Sequence, residues 1–434
     1  MLNWLNKNKF SLLIILFIIV GLCVRVFLID KVVVGDLMNY AEWGQRLAES
    51  GPKDFYFSKG WYYSIPVYPP VSMWVFSGLF WVSEHKFVLA QMHNLIKFPP
   101  SVFIIYFYKW SYIFLLKLLP IIADLGISIV VYKLIFEITK NKRKAVFGLL
   151  FYLLNPITIF LSGAWGQTDS VVAILGLVSF LLLINKKVWV SIPLLFLSIY
   201  FKPSWAILGP FYLFCLYIVK PKIREIVAGF AITLFLFIIT TAPFSDNNVF
   251  IYGWKLFKER YPLPVGIDGK ASISAFNFQT IFFKIDISYS HEKMLGVSSG
   301  IWGMVFYIFS NILAMINLRR QKDKLLGVIS GIFIVGMGSF VFMATMLERY
   351  FFPALAPLII LIFTYPKILL LGILTNIIFI ANILYSFYRR GSDEIAHPFT
   401  NYNFALIRVL SIIQVISYAV ITGNLLHFKH ESRK

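Results

Sequence analysis

Residues Phe10–Ile29 read FSLLIILFIIVGLCVRVFLI, and Gly35–Gly44, a few residues on, read GDLMNYAEWG. The first stretch is long enough to cross the ~30 Å hydrocarbon core of a bilayer as a helix. The second places an aspartate, a tyrosine and a Glu-Trp pair where such a helix would leave the membrane. Lys7 and Lys9 give the run the basic flank of a signal peptide, but no small-x-small cleavage site comes after it, and Leu22 before Cys23 spoils a lipoprotein-type site. The run is therefore expected to remain as a first span.

The rest of the chain extends this pattern. Of 434 residues 59% are hydrophobic and only 14% charged, more apolar surface than a soluble domain can hide. The expected class is an all-α polytopic membrane protein with about 12 transmembrane helices and no separate soluble domain. Spans are expected near 10–29, 110–137, 145–161, 170–184, 188–200, 204–219, 225–242, 299–317, 325–345, 351–364, 368–387 and 404–425. Cys23 and Cys215 both fall in apolar segments and read as small core residues rather than a disulfide or metal pair.

The formal charge of +20 would suit a nucleic-acid binder, but its distribution argues for topology instead. Lys140/Lys142/Arg143/Lys144, Lys186-Lys187, Lys220/Lys222/Arg224, Arg319-Arg320/Lys322/Lys324 and the tail Lys429/Arg433/Lys434 fall on one side with Lys7 and Lys9. The alternate short loops, SGAWGQTD (162–169), YFKPSW (200–205) and LERY (347–350), carry at most one base each. By the positive-inside rule both termini are cytoplasmic, the base-poor face is extracytoplasmic and nucleic acid is not a partner. The segment Tyr68–Ser83, YPPVSMWVFSGLFWVS, is apolar enough to be a span, yet one more crossing would invert every later loop. It is expected as an interfacial helix started by Pro69-Pro70 and anchored by Trp74 and Trp81. Two long extracytoplasmic loops result, 30–109 and 243–298, both rich in aromatics, and function is expected between them.

Candidate chemistry gathers on the base-poor face. Asp36 reads either as an N-cap of the next helix or as a general base, with Tyr40 and Trp43 on one helical face beside it as a platform for a sugar ring. Trp165, Gln167 and Asp169 are crowded into one short turn; Asp169 can cap the next span or serve a site. Lys202 and Arg349 stand at two further turns, as interface anchors or as a pair of cations for a phosphate. Asp124 lies inside a span, where an ionisable group is a functional candidate or a structural hydrogen-bond partner. The six histidines show no ligand spacing, and no Walker loop, dinucleotide fingerprint or nucleophile elbow occurs.

Taken in order, GDLMNYAEWG (35–44), VYPP (67–70), IADLGIS (122–128), AWGQTDS (164–170), FKPSW (201–205), SISAFNF (272–278) and ERYFFP (348–353) resemble the GT-C superfamily of integral-membrane glycosyltransferases. The likeness is greatest to members with polyprenyl-phosphate-sugar donors, related to the Alg-type glucosyltransferases and protein O-mannosyltransferases. It implies a catalytic membrane module of seven spans over 1–298, with long loops after spans one and seven, then C-terminal transmembrane helices over 299–434. It also implies an inverting hexosyltransferase for a sugar such as mannose or glucose, with Asp36 as general base and Asp169 as the second acid. Lys202 and Arg349 would bind the donor phosphate, with Asn277 closing over the donor. The acceptor would be a glycan, lipid or protein. No particular cofactor is indicated, and a divalent cation stays an open option. The chain has Gly35-Asp36 where the family commonly has an acidic doublet, which weighs against a two-carboxylate metal site in the first loop. The rival readings are a polysaccharide polymerase or O-antigen ligase, against which the arginines are scattered (260, 349, 389, 390), and a lipid-linked glycan flippase, against which no inverted repeat is seen.

Overall fold

A computed structural model of the chain describes residues 2–33, 35–246, 248–260, 269–390 and 404–427, with the side chains of 2–9, 389, 390 and 404 not described. The tail bases Lys429, Arg433 and Lys434, and residues 261–268 of the second long loop, lie outside the described residues. The described chain is mostly helical; its extended pairing is a two-residue antiparallel pair, β1 (Lys293–Met294) with β2 (Val297–Ser298), and an isolated bridge between Lys270 and Tyr289.

Eight helical segments are long and apolar enough to cross a membrane: Phe10–Phe27, Ser101–Thr139, Lys142–Trp165, Ile223–Phe244, Ser299–Arg320, Lys324–Phe342, Pro366–Tyr388 and Ala405–His427. The other four expected spans correspond to shorter apolar segments, Asp169–Ile184, Val188–Phe201, Pro203–Val219 and Phe352–Thr364. We label the helices in chain order: α1 (Leu2–Phe27), α2 (Asp36–Ser50), α3 (Pro70–Glu84), α4 (Lys86–Ile96), α5 (Ser101–Thr139), α6 (Lys142–Leu153), α7 (Pro156–Thr158), α8 (Asp169–Ile184), α9 (Val188–Phe201), α10 (Gly209–Val219), α11 (Ile223–Thr241), α12 (Val249–Arg260), α13 (Phe278–Phe282), α14 (Ser299–Arg320), α15 (Lys324–Phe342), α16 (Phe352–Thr364), α17 (Leu369–Arg390) and α18 (Phe404–His427).

Burial separates these helices into a centre and a periphery. Helix α15 is buried along almost its whole length, and α16 is fully buried from Phe352 to Ile362. Helices α1 and α11 instead expose Ile15, Leu16, Ile19, Phe230, Leu234, Phe235 and Ile239 to the surroundings. So much uninterrupted apolar surface suits hydrocarbon as its solvent, and continuous helices are what hydrocarbon permits, since each satisfies its own backbone polar groups. The chain is a membrane protein.

The two ends of the bundle differ in charge. Helix α8 begins at Asp169 and ends at Ile184, before Lys186-Lys187, and its 16 residues rise about 24 Å between those ends. Helix α9 runs back from Val188 to Phe201, just before Lys202, α10 leads to Lys220, and α14 and α15 meet at Arg319–Lys324. The basic clusters thus share one end, while Asp169, Lys202 and the 348–351 turn share the other.

The segment expected as an interfacial helix is α3, opened by Pro69-Pro70. At 15 residues it rises only about 22 Å. It buries Met73 and Phe76 against α2 and leaves Trp81 exposed. Trp74 was expected to anchor it at the interface; its indole instead donates to Thr240 O at 2.8 Å, tying α3 to α11. Helix α5 starts at Ser101 rather than near 110, because Pro99-Pro100 opens a helix that the polar YKW stretch (108–110) disguises in a hydropathy window.

Close approach is engineered by glycine at Gly176 on α8. A Cβ there would lie 2.0 Å from the Trp205 ring, which is buried and comes after the Lys202 turn. Gly176→Ala is expected to cost about 1–3 kcal/mol through overpacking, and Gly78→Ala, which meets nothing within 4 Å, to be neutral. Thermal unfolding of the two variants in detergent, by intrinsic fluorescence, checks the contrast.

Candidate functional site

Three short segments build the acid side of the site. Gly35, at φ +58°, turns the chain into α2 and is its N-cap residue. Asp36 is the first helical residue, and the N-cap position itself is taken by Gly35. Gln167 Nε2 donates to Asp36 Oδ2 at 2.6 Å, and Arg349 Nη2 approaches the same oxygen at 3.0 Å. Gln167 comes just after a π-helical turn, Ile159–Trp165, and Gly166 at φ +79°. Such turns carry one residue more than the α-ladder and so re-aim the chain beyond them; here they deliver Gln167 to the start of α2. Its amide is used twice, since Oε1 accepts from Tyr40 Oη at 3.2 Å.

Arg349 is the hub. It is buried, with Nη1 on Glu348 Oε1 at 3.0 Å, Nη2 on Asp36 and its guanidinium 5.7 Å from the Trp165 ring centre. Burial by itself favours the neutral form, but Asp36 and Glu348 outweigh it and hold the guanidinium well above its ordinary range. Glu348 is completely buried. Its Oε2 accepts from Ser386 Oγ at 2.8 Å and is hydrogen-bonded to Ser274 Oγ in the second long loop. Arg349 Nε–H is also buried and has no hydrogen-bond partner among the described residues.

A second pair lies alongside. Lys202 Nζ meets Asp169 Oδ2 at 2.8 Å, with both side chains nearly inaccessible. Burial again opposes the charge, and Asp169 reverses that, so the ammonium sits above its usual range. Tyr68 joins the two pairs: Lys202 Nζ is 5.5 Å from its ring centre, and its hydroxyl is 3.0 Å from that of Tyr40. The contacts run Glu348–Arg349–Asp36–Gln167–Tyr40–Tyr68–Lys202–Asp169, and the network carries three carboxylates against two cations. Asp36, with 28% of its side chain exposed, is the one reachable charge in it; Arg349, Glu348, Lys202 and Asp169 are all at 7% or less.

The other candidates are placed differently. Tyr40 and Trp43 do share a face of α2, but that face points inward. Each is 1% exposed, Tyr40 stacks on Phe76, and Trp43 Nε1 donates to Ser64 O at 2.7 Å. Neither offers an open ring to a sugar. Burial, then Tyr68 and Asp36, push the Tyr40 phenol well above the usual range, so it remains a donor. Trp165 packs on Phe160, Phe387 and Arg349. Asn277 is fully buried, donating to Phe340 O and Met343 O and capping α13 through Thr280 N. Asp124 belongs to a separate cluster inside the bundle, accepting from Tyr152 Oη at 2.9 Å and facing Arg25 Nε at 3.5 Å. Among the described residues no group of three or more His, Cys, Asp or Glu side chains is arranged to hold a metal.

Four participants escaped the sequence reading. Glu348 stands beside Arg349 in LERY, and Tyr68 lies in VYPP. Lys117 and Arg25 are lone bases in apolar runs, a signal as strong as that of Asp124. Lys117 is buried and donates to Ile29 O, Val32 O and Ala164 O at 2.6–2.7 Å. It thereby ties the stretch of chain leading to Asp36 to the turn leading to Gln167. Arg25 does similar work deeper down, donating to Leu153 O, Thr158 Oγ1 and Ser162 Oγ.

Breaking the Lys202–Asp169 pair on one side strands a buried charge. Lys202→Met is expected to cost about 3–5 kcal/mol and Lys202→Met/Asp169→Leu markedly less. A double-mutant cycle on thermal stability in detergent measures the coupling; additive losses would contradict the pairing.

No protein-family model matches this chain, and none of the curated proteins matches it.

Proposed function

We propose that the chain is an inverting glycosyltransferase of the GT-C type, which moves a hexose such as mannose or glucose from a polyprenyl-phosphate donor to an extracytoplasmic acceptor. In this reading the basic end of the bundle is cytoplasmic, the twelve apolar segments all cross the membrane, and residues 1–298 form the catalytic module. The reading is supported by the ordered set of sequence stretches that resemble that superfamily and by the meeting of all of them but IADLGIS in one network at the base-poor end. The observation that carries most weight is Asp36: a partly exposed carboxylate, fixed by Gln167 and Arg349, among charges that are otherwise buried.

That placement sets the chemistry. The acceptor hydroxyl oxygen forms a bond to C1 of the sugar as the bond from C1 to the phosphate oxygen breaks on the opposite face. The hydroxyl proton passes to the Asp36 carboxylate, and the electron pair of the breaking bond leaves with polyprenyl phosphate. That leaving group is anionic and needs fixed positive charge rather than a protonated acid. Arg349 keeps Asp36 and Glu348 on its two terminal nitrogens and has Nε–H, unpartnered among the described residues, for a phosphate oxygen. Lys202 is the second cation, and Asp169 holds it in place.

Two outcomes test this. In proteoliposomes supplied with a panel of polyprenyl-phosphate sugars and extracted membrane lipids as acceptors, wild-type protein is expected to consume one donor, and Asp36→Asn to lose at least about 100-fold of that turnover. No turnover of any donor by wild type, or full turnover by the variant, sinks the assignment. Arg349→Lys preserves the charge and loses the planar fork, so it is expected to raise the apparent KM for donor several-fold more than that for acceptor.

A further inference from the structure

At the base-rich end, away from the Asp36 network, the ends of α8, α10, α14 and α15 enclose a groove of about 270 Å³. Its walls are apolar, with Cys215, Leu318 and Val328 all buried. Its rim carries Lys186 and Lys324, both exposed, and no carboxylate lines it. Neither lysine forms an ion pair among the described residues. Lys324 Nζ donates only to carbonyls, Leu318 O and Gln321 O, each at 3.2 Å. The nearest acid in sequence, Asp323, is committed to capping α15 through Leu325 N and Leu326 N. Arg319 is turned onto the Phe214 ring, 5.2 Å from its centre.

We propose that this groove binds one anionic phospholipid, with its phosphate at Lys186 and Lys324 and part of an acyl chain against Cys215, Leu318 and Val328. The match is one of charge and of polarity together. A soluble anion would meet the lysines but gain nothing from the apolar wall. A neutral lipid would fill the wall and leave two ammonium groups without a counter-charge. Basic pockets between membrane helices are favourable for anionic headgroups because each lysine near the surface contributes to the attraction and the hydrocarbon beside it takes the chain. The groove is on the leaflet opposite the Asp36 network, so this lipid is distinct from the sugar donor proposed above and does not rest on that assignment.

The test uses the purified full-length chain in neutral detergent, incubated with phosphatidylglycerol or phosphatidylcholine, with lipid retained after washing read by native mass spectrometry. Wild type is expected to hold one phosphatidylglycerol per chain in preference to phosphatidylcholine. Lys186→Gln/Lys324→Gln is expected to lower that retention on the order of tenfold. Val219→Trp, which fills the groove wall and spares both lysines, is expected to do the same. Lys142→Gln/Lys144→Gln, at the same end but away from the groove, is expected to change nothing. Should the double lysine variant fold poorly, Lys186→Gln alone gives a smaller loss in the same direction. Equal retention of phosphatidylcholine, unchanged retention in the groove variants, an equal loss in the Lys142/Lys144 variant, or displacement of the lipid by inorganic phosphate alone would each overturn the proposal.

Discussion

A guanidinium buried to 7% of its exposed surface must have anionic partners, and much of this end of the molecule is arranged to supply Arg349 with them. Removing that charge from water costs several kcal/mol, which only close carboxylates and hydrogen bonds can offset. Glu348 is its neighbour in sequence and is itself buried, so it in turn requires Ser274 from the second long loop and Ser386 from α17. Asp36 comes from the opposite direction, at the start of α2, and stays in register only because the chain before it is held. Lys117 does that holding with three carbonyl bonds, to Ile29, Val32 and Ala164. One buried cation thus requires the first loop, the Gln167 turn, the second long loop and the turn before α16 to meet.

The residues of that meeting point stood out in the sequence, whereas their pairings did not. Polar side chains at the ends of apolar runs are conspicuous, so Asp36, Gln167, Asp169, Lys202 and Arg349 could all be singled out. What a one-dimensional pattern lacks is the partner. Lys202 looks like a free cation until Asp169 is seen 2.8 Å away, and Arg349 looks like one until it is found between two acids. The spacing of Tyr40 and Trp43 specifies that they share a helix face but not which way that face points. It points inward, against Phe76 and the Ser64 carbonyl. Lys117 and Arg25 were legible and passed over, because a single base in a long apolar run barely alters its average hydropathy.

Helix number shows the same division between what composition settles and what packing decides. Eight segments are long enough to cross a bilayer by themselves, while α8, α9 and α16 have 16, 14 and 13 residues. Helix α16 is apolar and nearly all buried, so its surroundings are other helices rather than lipid. A short helix in that position needs no hydrophobic match to the bilayer, because neighbouring helices cover its ends. The polar turns at the ends of α8 and α9 are themselves covered by the protein, and there the Asp169–Lys202 pair is sequestered.

For the proposed reaction, the paired state of both cations is a constraint with a chemical consequence. A network of three carboxylates and two cations does not invite another anion, and a phosphate that displaced Asp36 from Arg349 would disorder the proposed base. The guanidinium avoids that choice. Its two terminal nitrogens keep Glu348 and Asp36, and its Nε–H has no hydrogen-bond partner among the described residues. A phosphate that reached that buried N–H, once the side chains covering it moved aside, would share the cation with Asp36 instead of evicting the carboxylate. The added negative charge weakens the hold of Arg349 on Asp36 and favours proton uptake by that carboxylate. Donor binding would then do two things at once: place the leaving group against positive charge and make the acid across from it a better base.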